Sequence, residues 1–600
     1  MAPKVKTFAA MAALFAAVAV ASALAWHWYR LPARVQAGLP AVPADLAKKP
    51  AELGRRIAAA EALTHNRTRA LDGAADLGRL YHANGYLREA EACWRLLRAE
   101  QPREARWCYY LADLRRTAGD DAAVATLLAE TVRLAPDYAT AWLQLADFEF
   151  KTGRTDAAEA HYGRRLDLVP SDPYARLGLA RVALQRGKRG DARQLIEQIV
   201  HDTPDFSTAH NLYAEMLAAD GQAEEAFRQR NLGREAGRFR EADDPWIEEL
   251  HGWCYDPKRL ALLGTTAYQT RRGDRGVTFL QRAVQLAPDD PAGYESLGIL
   301  YLQLGKPAEA QPAFERGLRL PDRGHDHVML AVNLAESLRL QQHSEDALRV
   351  VREALADAPF AYELHSELGA VLVDLRRIEE SVQAYREAVA LAPDDADSNF
   401  SLGSNLLALG QREEAIRYLK RSLTLQPTYP KALILLGHLA LDAGQLEEAR
   451  RYWQPLYDSH PEQPTARHVL ALYHLRAGEA AGAKKDFASA EQHYREGLVI
   501  DPDHAEIEAS LGVLCLMQGR PADALIPFEA YHRLRPKDAQ SSLFLGQVYA
   551  QLGRVAEARK ILAEGEELAE RSGNHVTAGH CREILEHLPP ADSPVANGRE

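Results

Sequence analysis

Cysteine is scarce in this sequence, and the motifs that depend on cysteine spacing are missing. The 600 residues include only five cysteines, with neither a CxxC nor a CxxCH motif. This excludes a zinc ribbon, a thioredoxin motif and a c-type haem attachment site. A Walker loop, a GxSxG elbow and an HExxH motif are also missing. We therefore expect no enzymatic activity, no metal, no cofactor and no small-molecule substrate.

An excess of basic residues is also missing. Lys and Arg number 72 against 84 for Asp and Glu, which gives a net charge of −12, and no segment carries a sustained basic stripe. This balance argues against nucleic-acid binding. Hydrophobic residues make up 47% of the chain and charged residues 26%. The composition therefore indicates a packed fold rather than a disordered chain.

The first thirty residues contain one long apolar run. It extends from Phe8 to Trp28 and is interrupted only by Ser22 and His27. A helix of this length crosses a hydrocarbon core of about 30 Å, and the aromatic residues at its end suit the interface. Residues 1–30 are thus predicted to be a transmembrane anchor. The alternative is a cleaved signal peptide, with Ala23-Leu24-Ala25 as the small-residue cleavage site. Residues 31–50, which contain four prolines, are predicted to be a semi-rigid linker.

Proline and glycine recur through the rest of the chain with a period of 34 residues. Prolines stand at positions 102, 136, 170 and 204, and again at 359, 393, 427 and 461. Glycines at 85, 119, 153 and 187 repeat the same interval between two apolar-periodic stretches. Proline ends a helix and glycine turns the chain. The pattern therefore predicts consecutive helix–turn–helix units.

This pattern resembles the tetratricopeptide repeat (TPR) family. Fourteen units begin at positions 71, 105, 139, 173, 207, 257, 291, 328, 362, 396, 430, 464, 505 and 539, and the eighth residue of every unit is Gly or Ala. The segment Leu297-Gly298, with Tyr301, Gly305, Ala310 and Phe314, is a nearly complete family motif. The resemblance implies an all-α, right-handed superhelical solenoid of about fourteen repeats, here preceded by one transmembrane helix.

Interruptions of the period predict the domain organisation. A block of five repeats over residues 51–240 is followed by an insertion at 241–256 and by nine repeats over 257–572. Residues 573–588 are predicted to be a capping helix and 589–600 a disordered tail. About seven extra residues lengthen the turn of the twelfth repeat near 479–485. The insertion, with Trp246, His251 and Trp253, is interpreted either as a functional pocket or as a hydrophobic plug between the two blocks.

The resemblance also implies where a partner binds. Members of the family hold ligands on a concave face formed by positions 2, 5, 9, 12 and 13 of the first helix of each repeat. The Lys/Asn pair of the carboxylate clamp for chaperone C-termini occurs in no repeat here. The candidate partner-binding residues are mainly apolar in the C-terminal block and acidic in the N-terminal block: Phe400, Ser404, Leu407, Ile434, His438, Leu441, Val513, Met517, Leu543 and Gln547, with Asp113, Asp147 and Glu215.

The sequence therefore predicts a membrane-anchored scaffold that binds a protein or peptide segment in its groove for assembly of an envelope complex. Its resemblance to single-anchor bacterial TPR proteins implies the inner membrane, with the repeats in the periplasm. Cleavage of the signal would instead release the protein into the periplasm or medium. The alternative functions are a self-associating structural solenoid and, less strongly supported, an accessory subunit of an enzyme.

Overall fold

A computed structural model describes residues 22, 26, 28–235, 242–321, 325–461 and 463–589. Within these ranges the regular structure is helical and contains no strand. The chain divides into two compact units, Met1–Arg377 and Ile378–Glu600. The boundary lies in the turn of the ninth repeat, whereas the sequence placed a division at the insertion. The predicted blocks, 51–240 and 257–572, were defined by the interruption of the 34-residue period and not by compactness, and they remain a prediction.

The described part of unit 1 contains twenty α-helices and one 3₁₀ turn, Leu46–Lys48. The helices are α1 Leu31–Gly38, α2 Ala51–Thr64, α3 Ala70–Ala83, α4 Leu87–Glu100, α5 Ala105–Thr117, α6 Asp121–Leu134, α7 Ala139–Lys151, α8 Thr155–Leu168, α9 Pro173–Gln185, α10 Arg189–Asp202, α11 Ser207–Ala219, α12 Ala223–Glu235, α13 Pro245–His251, α14 Pro257–Gln269, α15 Gly273–Leu286, α16 Pro291–Gln303, α17 Pro307–Leu318, α18 His325–Leu340, α19 Ser344–Asp357 and α20 Tyr362–Asp374.

The described part of unit 2 contains twelve helices. They are α21 Ile378–Leu391, α22 Ala396–Ala408, α23 Arg412–Leu425, α24 Pro430–Asp442, α25 Leu446–Ser459, α26 Pro464–Ala483, α27 Phe487–Ile500, α28 Ala505–Met517, α29 Pro521–Leu534, α30 Ala539–Gln551, α31 Val555–Arg571 and α32 His575–His587. The fourteen predicted repeats correspond to the helix pairs from α3–α4 to α30–α31, with α13 as the extra element. Helix α32 follows the last pair, where the sequence predicts a cap.

Small residues at the eighth position let the two helices of a repeat approach each other. A Cβ atom built on Gly298 would lie 2.3 Å from the Phe314 ring, and one on Gly78 would lie 2.6 Å from the Trp94 ring. Both aromatic rings are fully buried. In each case the partner lies sixteen residues later, on the second helix of the same repeat. The core therefore forms where a large side chain of one helix fills the space that the glycine leaves on the other.

The turn inside each repeat requires a left-handed backbone conformation. Glycine adopts it at most of these turns, as at Gly85 (φ +87°) and Gly119 (φ +74°). Four turns use another residue in the same conformation: Arg271, Gln342, Arg376 and Lys485. Residues other than glycine rarely adopt a positive φ, because their Cβ atom crowds the backbone. The geometry of the helix pair therefore determines this turn, whether or not glycine is present.

The segment predicted to be a linker is instead folded against the first repeat. Helix α1 begins at Leu31, with Pro32 in its first turn. Val35 is fully buried, and the Arg34 guanidinium lies 2.8 Å from the Glu100 carboxylate. At the other end of the segment, Lys49 forms an ion pair with Asp256. The prediction that residues 31–50 form a semi-rigid linker was therefore wrong. The apolar residues of this segment pack on the first repeat because the contact removes apolar surface of both from water.

Most of the predicted transmembrane helix, and all but the first residue of the predicted tail, lie outside the described residues. Of the predicted transmembrane helix, the structure describes Ser22, Trp26 and residues 28–30. Of the predicted tail, it describes Pro589. Among the helices of the described residues, we find none that combines the length and the apolar character needed to span a bilayer.

Candidate partner-binding site

The acidic residues predicted for the N-terminal block have different surroundings. Asp113 on α5 accepts a hydrogen bond of 3.1 Å from His82 Nε2 and is paired with Arg116. Burial raises the pKa of Asp113, but His82 and Arg116 outweigh burial and hold it below its usual value. Asp147 accepts a 2.6 Å hydrogen bond from the Tyr162 hydroxyl, and burial raises its pKa. Glu215 is exposed on α11.

The described part of the insertion, residues 242–256, lies on the first three repeats. Its central contact is the Asp244 carboxylate, which accepts hydrogen bonds from the Tyr109 hydroxyl at 2.5 Å, the Tyr138 hydroxyl at 2.7 Å and Gln144 Nε2 at 3.0 Å. Burial raises the pKa of Asp244, although both tyrosine hydroxyls stabilise its charged form. The Thr140 hydroxyl also donates to the Asp243 carbonyl at 2.9 Å. The second and third repeats therefore bind the start of α13.

An aromatic cluster and a pair of arginines hold α13 itself. The Trp246 ring stacks on Tyr138 with centroids 3.6 Å apart, and it meets the edge of Tyr109 at 5.3 Å. Glu249 lies 3.2 Å from Arg79 and 3.6 Å from Arg106. Apolar, hydrogen-bonding and charged contacts are thus combined on one short helix.

The end of the insertion joins the first repeat to the sixth. Asn84 donates to the Trp253 carbonyl at 2.9 Å and accepts from the Tyr255 amide at 2.6 Å. Cys254 is fully buried with Ala83 of α3 and with Leu260 of α14. These contacts agree with the predicted hydrophobic plug. Several inner-face positions of the first three repeats are therefore already occupied by the protein's own chain.

Unit 2 has a pocket beside inner-face positions that is lined by apolar and aromatic side chains. Its volume is about 310 Å³. Two of the predicted residues, Val513 and Met517 of α28, line it together with three aromatic residues: Phe487, Tyr494 and Phe544. The apolar side chain of Met517 is 66% exposed to solvent. The polar side chains of Ser510 and Gln540 complete the lining.

The three aromatic residues of this pocket are not among those predicted from the sequence. Phe487 and Tyr494 lie on α27, a second helix, and Phe544 occupies the sixth position of its repeat, so none is at a position the family uses for ligands. The extended twelfth repeat was the available signal. Its first helix, α26, is 20 residues long, and Gly482 near its end also lines the pocket.

The remaining predicted residues of unit 2 are divided between partial and full burial. Phe400 and Leu407 pack against the cluster of Leu419, Leu436 and Leu439 and remain half-buried. Leu543 is only 7% exposed and belongs to the core of unit 2, so the prediction that it contacts a partner does not fit. The others are half-buried: Ser404, Ile434, His438, Leu441 and Gln547.

His438 is constrained by its neighbours in unit 2. Its ring lies 5.1 Å from that of Trp453 in an edge-on arrangement. Burial lowers the pKa of His438, and His468 acts in the same direction, while Asp442 opposes them. The imidazole is therefore favoured in its neutral form. It offers a partner a hydrogen-bonding group rather than a charge.

Comparison with known proteins identifies the family. Two family models, both described as tetratricopeptide repeat, match this chain. One matches residues 153–216 and 406–473, and the other matches 121–173, 295–362, 332–396, 475–539 and 528–574. These segments together span more than half of the chain, in both units. The protein belongs to the tetratricopeptide repeat family, whose members bind protein or peptide partners.

Individual relatives match less of the chain. Cellulose synthase 1 operon protein C of Komagataeibacter xylinus is 30% identical over 191 residues, which are 29% of this chain and only 14% of that protein. The structure of PilF from Pseudomonas aeruginosa is 16% identical and covers 36% of this chain and 96% of its own, with a TM-score of 0.30. YrrB, described as a TPR protein with an unusual peptide-binding site, is 20% identical over 32% of this chain and 97% of its own, with a TM-score of 0.24.

Proposed function

We propose that this protein is a non-enzymatic scaffold that binds a protein or peptide segment through unit 2. The observation that carries the proposal is the pocket around Met517, where an exposed apolar side chain stands beside three aromatic residues. Apolar pockets of this kind accept the anchoring side chain of an amphipathic helix or of an extended segment. The methionine side chain is flexible and adapts to the shape of its ligand.

The contacts of the first three repeats argue against those repeats as the partner site. Their inner-face residues, such as Tyr109 and Asp113, are engaged by residues 242–256 or by their own neighbours. A partner would have to displace the stacked Trp246 and the hydrogen-bonded Asp244 to use them. The Met517 pocket requires no such displacement.

The proposal includes a location at the bacterial inner membrane, with the repeats in the periplasm. It rests on the apolar run from Phe8 to Trp28 and on the family resemblance. The role in assembling an envelope complex rests on the resemblance to single-anchor bacterial TPR proteins; the relative named for a cellulose synthase operon is matched over only 14% of its length. Fractionation of cells expressing the full chain tests the anchor, and protease treatment of spheroplasts tests the topology. Recovery in the medium or free periplasm would favour a cleaved signal.

The binding test compares two exposed apolar residues of unit 2. The full-length protein is isolated from its native membrane and its companions are identified by mass spectrometry. The parallel variants are Met517→Asp, in the pocket, and the control Val499→Asp, on α27 outside the pocket and 81% exposed. A second groove variant, Phe400→Asp/Ile434→Asp, tests the neighbouring repeats. Circular dichroism confirms that each variant is folded.

We expect one dominant companion that the Met517→Asp variant loses and the Val499→Asp variant retains. Equal retention in both, and in the Phe400→Asp/Ile434→Asp variant, would contradict binding through unit 2. If no companion is found and sedimentation shows self-association of the purified protein, the structural solenoid becomes the better description of its function.

A further inference from the structure

Three potential metal ligands meet between the two helices of the twelfth repeat. His474 is on α26, and His493 and Glu496 are on α27, where a spacing of three residues places them on one helix face. None of the three belongs to the pocket described above. His474 is 8% exposed, while the other two side chains are partly open to solvent.

The distances within this group match those of a metal site. His474 Nδ1 lies 3.4 Å from His493 Nδ1 and 3.3 Å from a Glu496 carboxylate oxygen, and His493 Nδ1 lies 3.7 Å from that oxygen. A tetrahedral zinc ion with bonds of about 2.0–2.2 Å separates its ligand atoms by roughly 3.3–3.6 Å. We propose that His474, His493 and Glu496 bind a divalent transition-metal ion of the Zn²⁺ class.

Protons on the two imidazoles and a bound cation are alternative ways to satisfy this group. A carboxylate oxygen is only an acceptor, and the Nδ1 atom of a neutral imidazole either donates or accepts. With the protons on Nδ1 both imidazoles donate toward the carboxylate, and with the protons on Nε2 the two Nδ1 lone pairs and the carboxylate oxygen face one another. A cation at the centre of the triangle would interact favourably with all three lone pairs at once.

Surrounding side chains orient the proposed ligands. Gln492 Nε2 donates a 2.9 Å hydrogen bond to Glu496 Oε1, which leaves Oε2 directed toward the two histidines. The Tyr473 ring meets the edges of His474 and His493 at 5.0 and 6.3 Å. Such outer contacts hold ligands in position around metals. Arg450 lies over the Tyr473 ring, and its positive charge opposes a cation, while the Glu496 carboxylate favours one.

The ligand types determine which ions fit. Two imidazole nitrogens and one carboxylate suit Zn²⁺ and its neighbours Co²⁺, Ni²⁺ and Cu²⁺, whereas Mg²⁺ and Ca²⁺ prefer oxygen ligands. A fourth position remains for water or for a side chain of a partner. A metal here would link α26 to α27, the helix that also carries Tyr494 of the pocket.

The test uses full-length protein purified without a histidine tag and stripped of metal by a chelator. Zn²⁺ binding is measured by calorimetry, and Co²⁺ provides a visible absorption spectrum that reports coordination geometry. We expect one Zn²⁺ per chain, a tetrahedral Co²⁺ spectrum, a higher melting temperature with Zn²⁺ and no comparable response to Mg²⁺.

Four variants distinguish this site from other histidines of the chain. His493→Gln and Glu496→Gln each remove one partly exposed ligand, and we expect Zn²⁺ affinity to fall by more than about 100-fold. Gln492→Ala removes only the outer contact and is expected to lower affinity by about 10-fold. His580→Gln changes an exposed histidine on α32 and serves as the control. Absence of Zn²⁺ binding, or equal binding by His493→Gln and His580→Gln, would overturn the proposal. The result does not depend on whether a protein partner binds unit 2.

Discussion

The close helix contact at Gly298 allows the packing of a single repeat to be tested quantitatively. Alanine at this position would place its Cβ atom 2.3 Å from Cε1 and 2.5 Å from Cζ of the fully buried Phe314. Overpacking of this kind costs about 1–3 kcal/mol. Alanine is also a better helix former than glycine by about 1 kcal/mol. The net expectation for Gly298→Ala is therefore a loss of about 0–2 kcal/mol.

A second glycine provides the matched control. Gly163 lies inside α8, where an added Cβ atom would meet nothing within 4 Å. Gly163→Ala therefore keeps the gain in helix propensity without the overpacking and should stabilise α8 by about 1 kcal/mol. The difference between the two variants, about 1–3 kcal/mol, isolates the overpacking at Phe314.

Local hydrogen exchange is the appropriate assay, because repeat arrays of this length do not unfold in one step. In Gly163→Ala the new alanine should slow exchange in its own helix pair through helix propensity alone. In Gly298→Ala the amides of α16 and α17 should exchange faster than that propensity gain alone would give, because the overpacking at Phe314 opposes it. The change in exchange rate caused by Gly298→Ala should differ from that caused by Gly163→Ala by a factor of roughly 5 to 150, since 1.4 kcal/mol corresponds to a factor of ten. Phe314→Leu, added to Gly298→Ala, should recover part of the loss because it removes the clashing ring atoms. If both alanine variants slowed exchange equally, the assigned helix register would be refuted.

Three further predictions concern other parts of the structure. Asp244→Ala leaves the Tyr109 and Tyr138 hydroxyls without their acceptor, so we expect a loss of about 1–3 kcal/mol and faster proteolysis within residues 242–256; unchanged proteolysis would contradict this. Burial raises the pKa of Glu508 to about 7 against 4.5 for an ordinary Glu, so its contribution to stability falls as pH rises from about 4.5 to 7. Glu508→Gln should accordingly raise the melting temperature at pH 7.5 but not at pH 4.5, and an equal shift at both pH values would oppose the assignment. Gln342→Gly relieves a side chain held at φ +65° and should stabilise its turn by about 0.5–1 kcal/mol, as measured by hydrogen exchange in α18 and α19.

The repeat register could be predicted because it depends on local pattern. Glycine or alanine at the eighth position and glycine at the turn recur every 34 residues, and each has a direct structural reason. Gly298 meets Phe314 within the same repeat, and Gly85 supplies the left-handed turn. Where the turn glycine is replaced, as at Gln342, the helices on both sides still carried the pattern.

Contacts between distant residues could not be predicted in the same way. Tyr138 and Asp244 are 106 residues apart, and nothing in the periodicity indicated that their side chains meet. The linker prediction for 31–50 was wrong for the same reason, since the proline content did not reveal a buried Val35. The His493–Glu496 spacing was visible in the sequence, but His474 joins it only through the register of α26 against α27.

The contacts of α13 explain why position within a repeat is an incomplete guide to partner binding. Asp244 accepts a 3.2 Å hydrogen bond from the Ile247 amide, which caps the helix, and the same carboxylate accepts the hydroxyls of Tyr109 and Tyr138. One side chain thus both starts the helix and docks it on the repeats. Residues that would serve an external ligand by family position are consequently used within the chain. Assigning a partner site to a repeat array therefore requires knowing which inner positions its own segments already contact, and this requirement favours the Met517 pocket over the acidic residues of the first repeats.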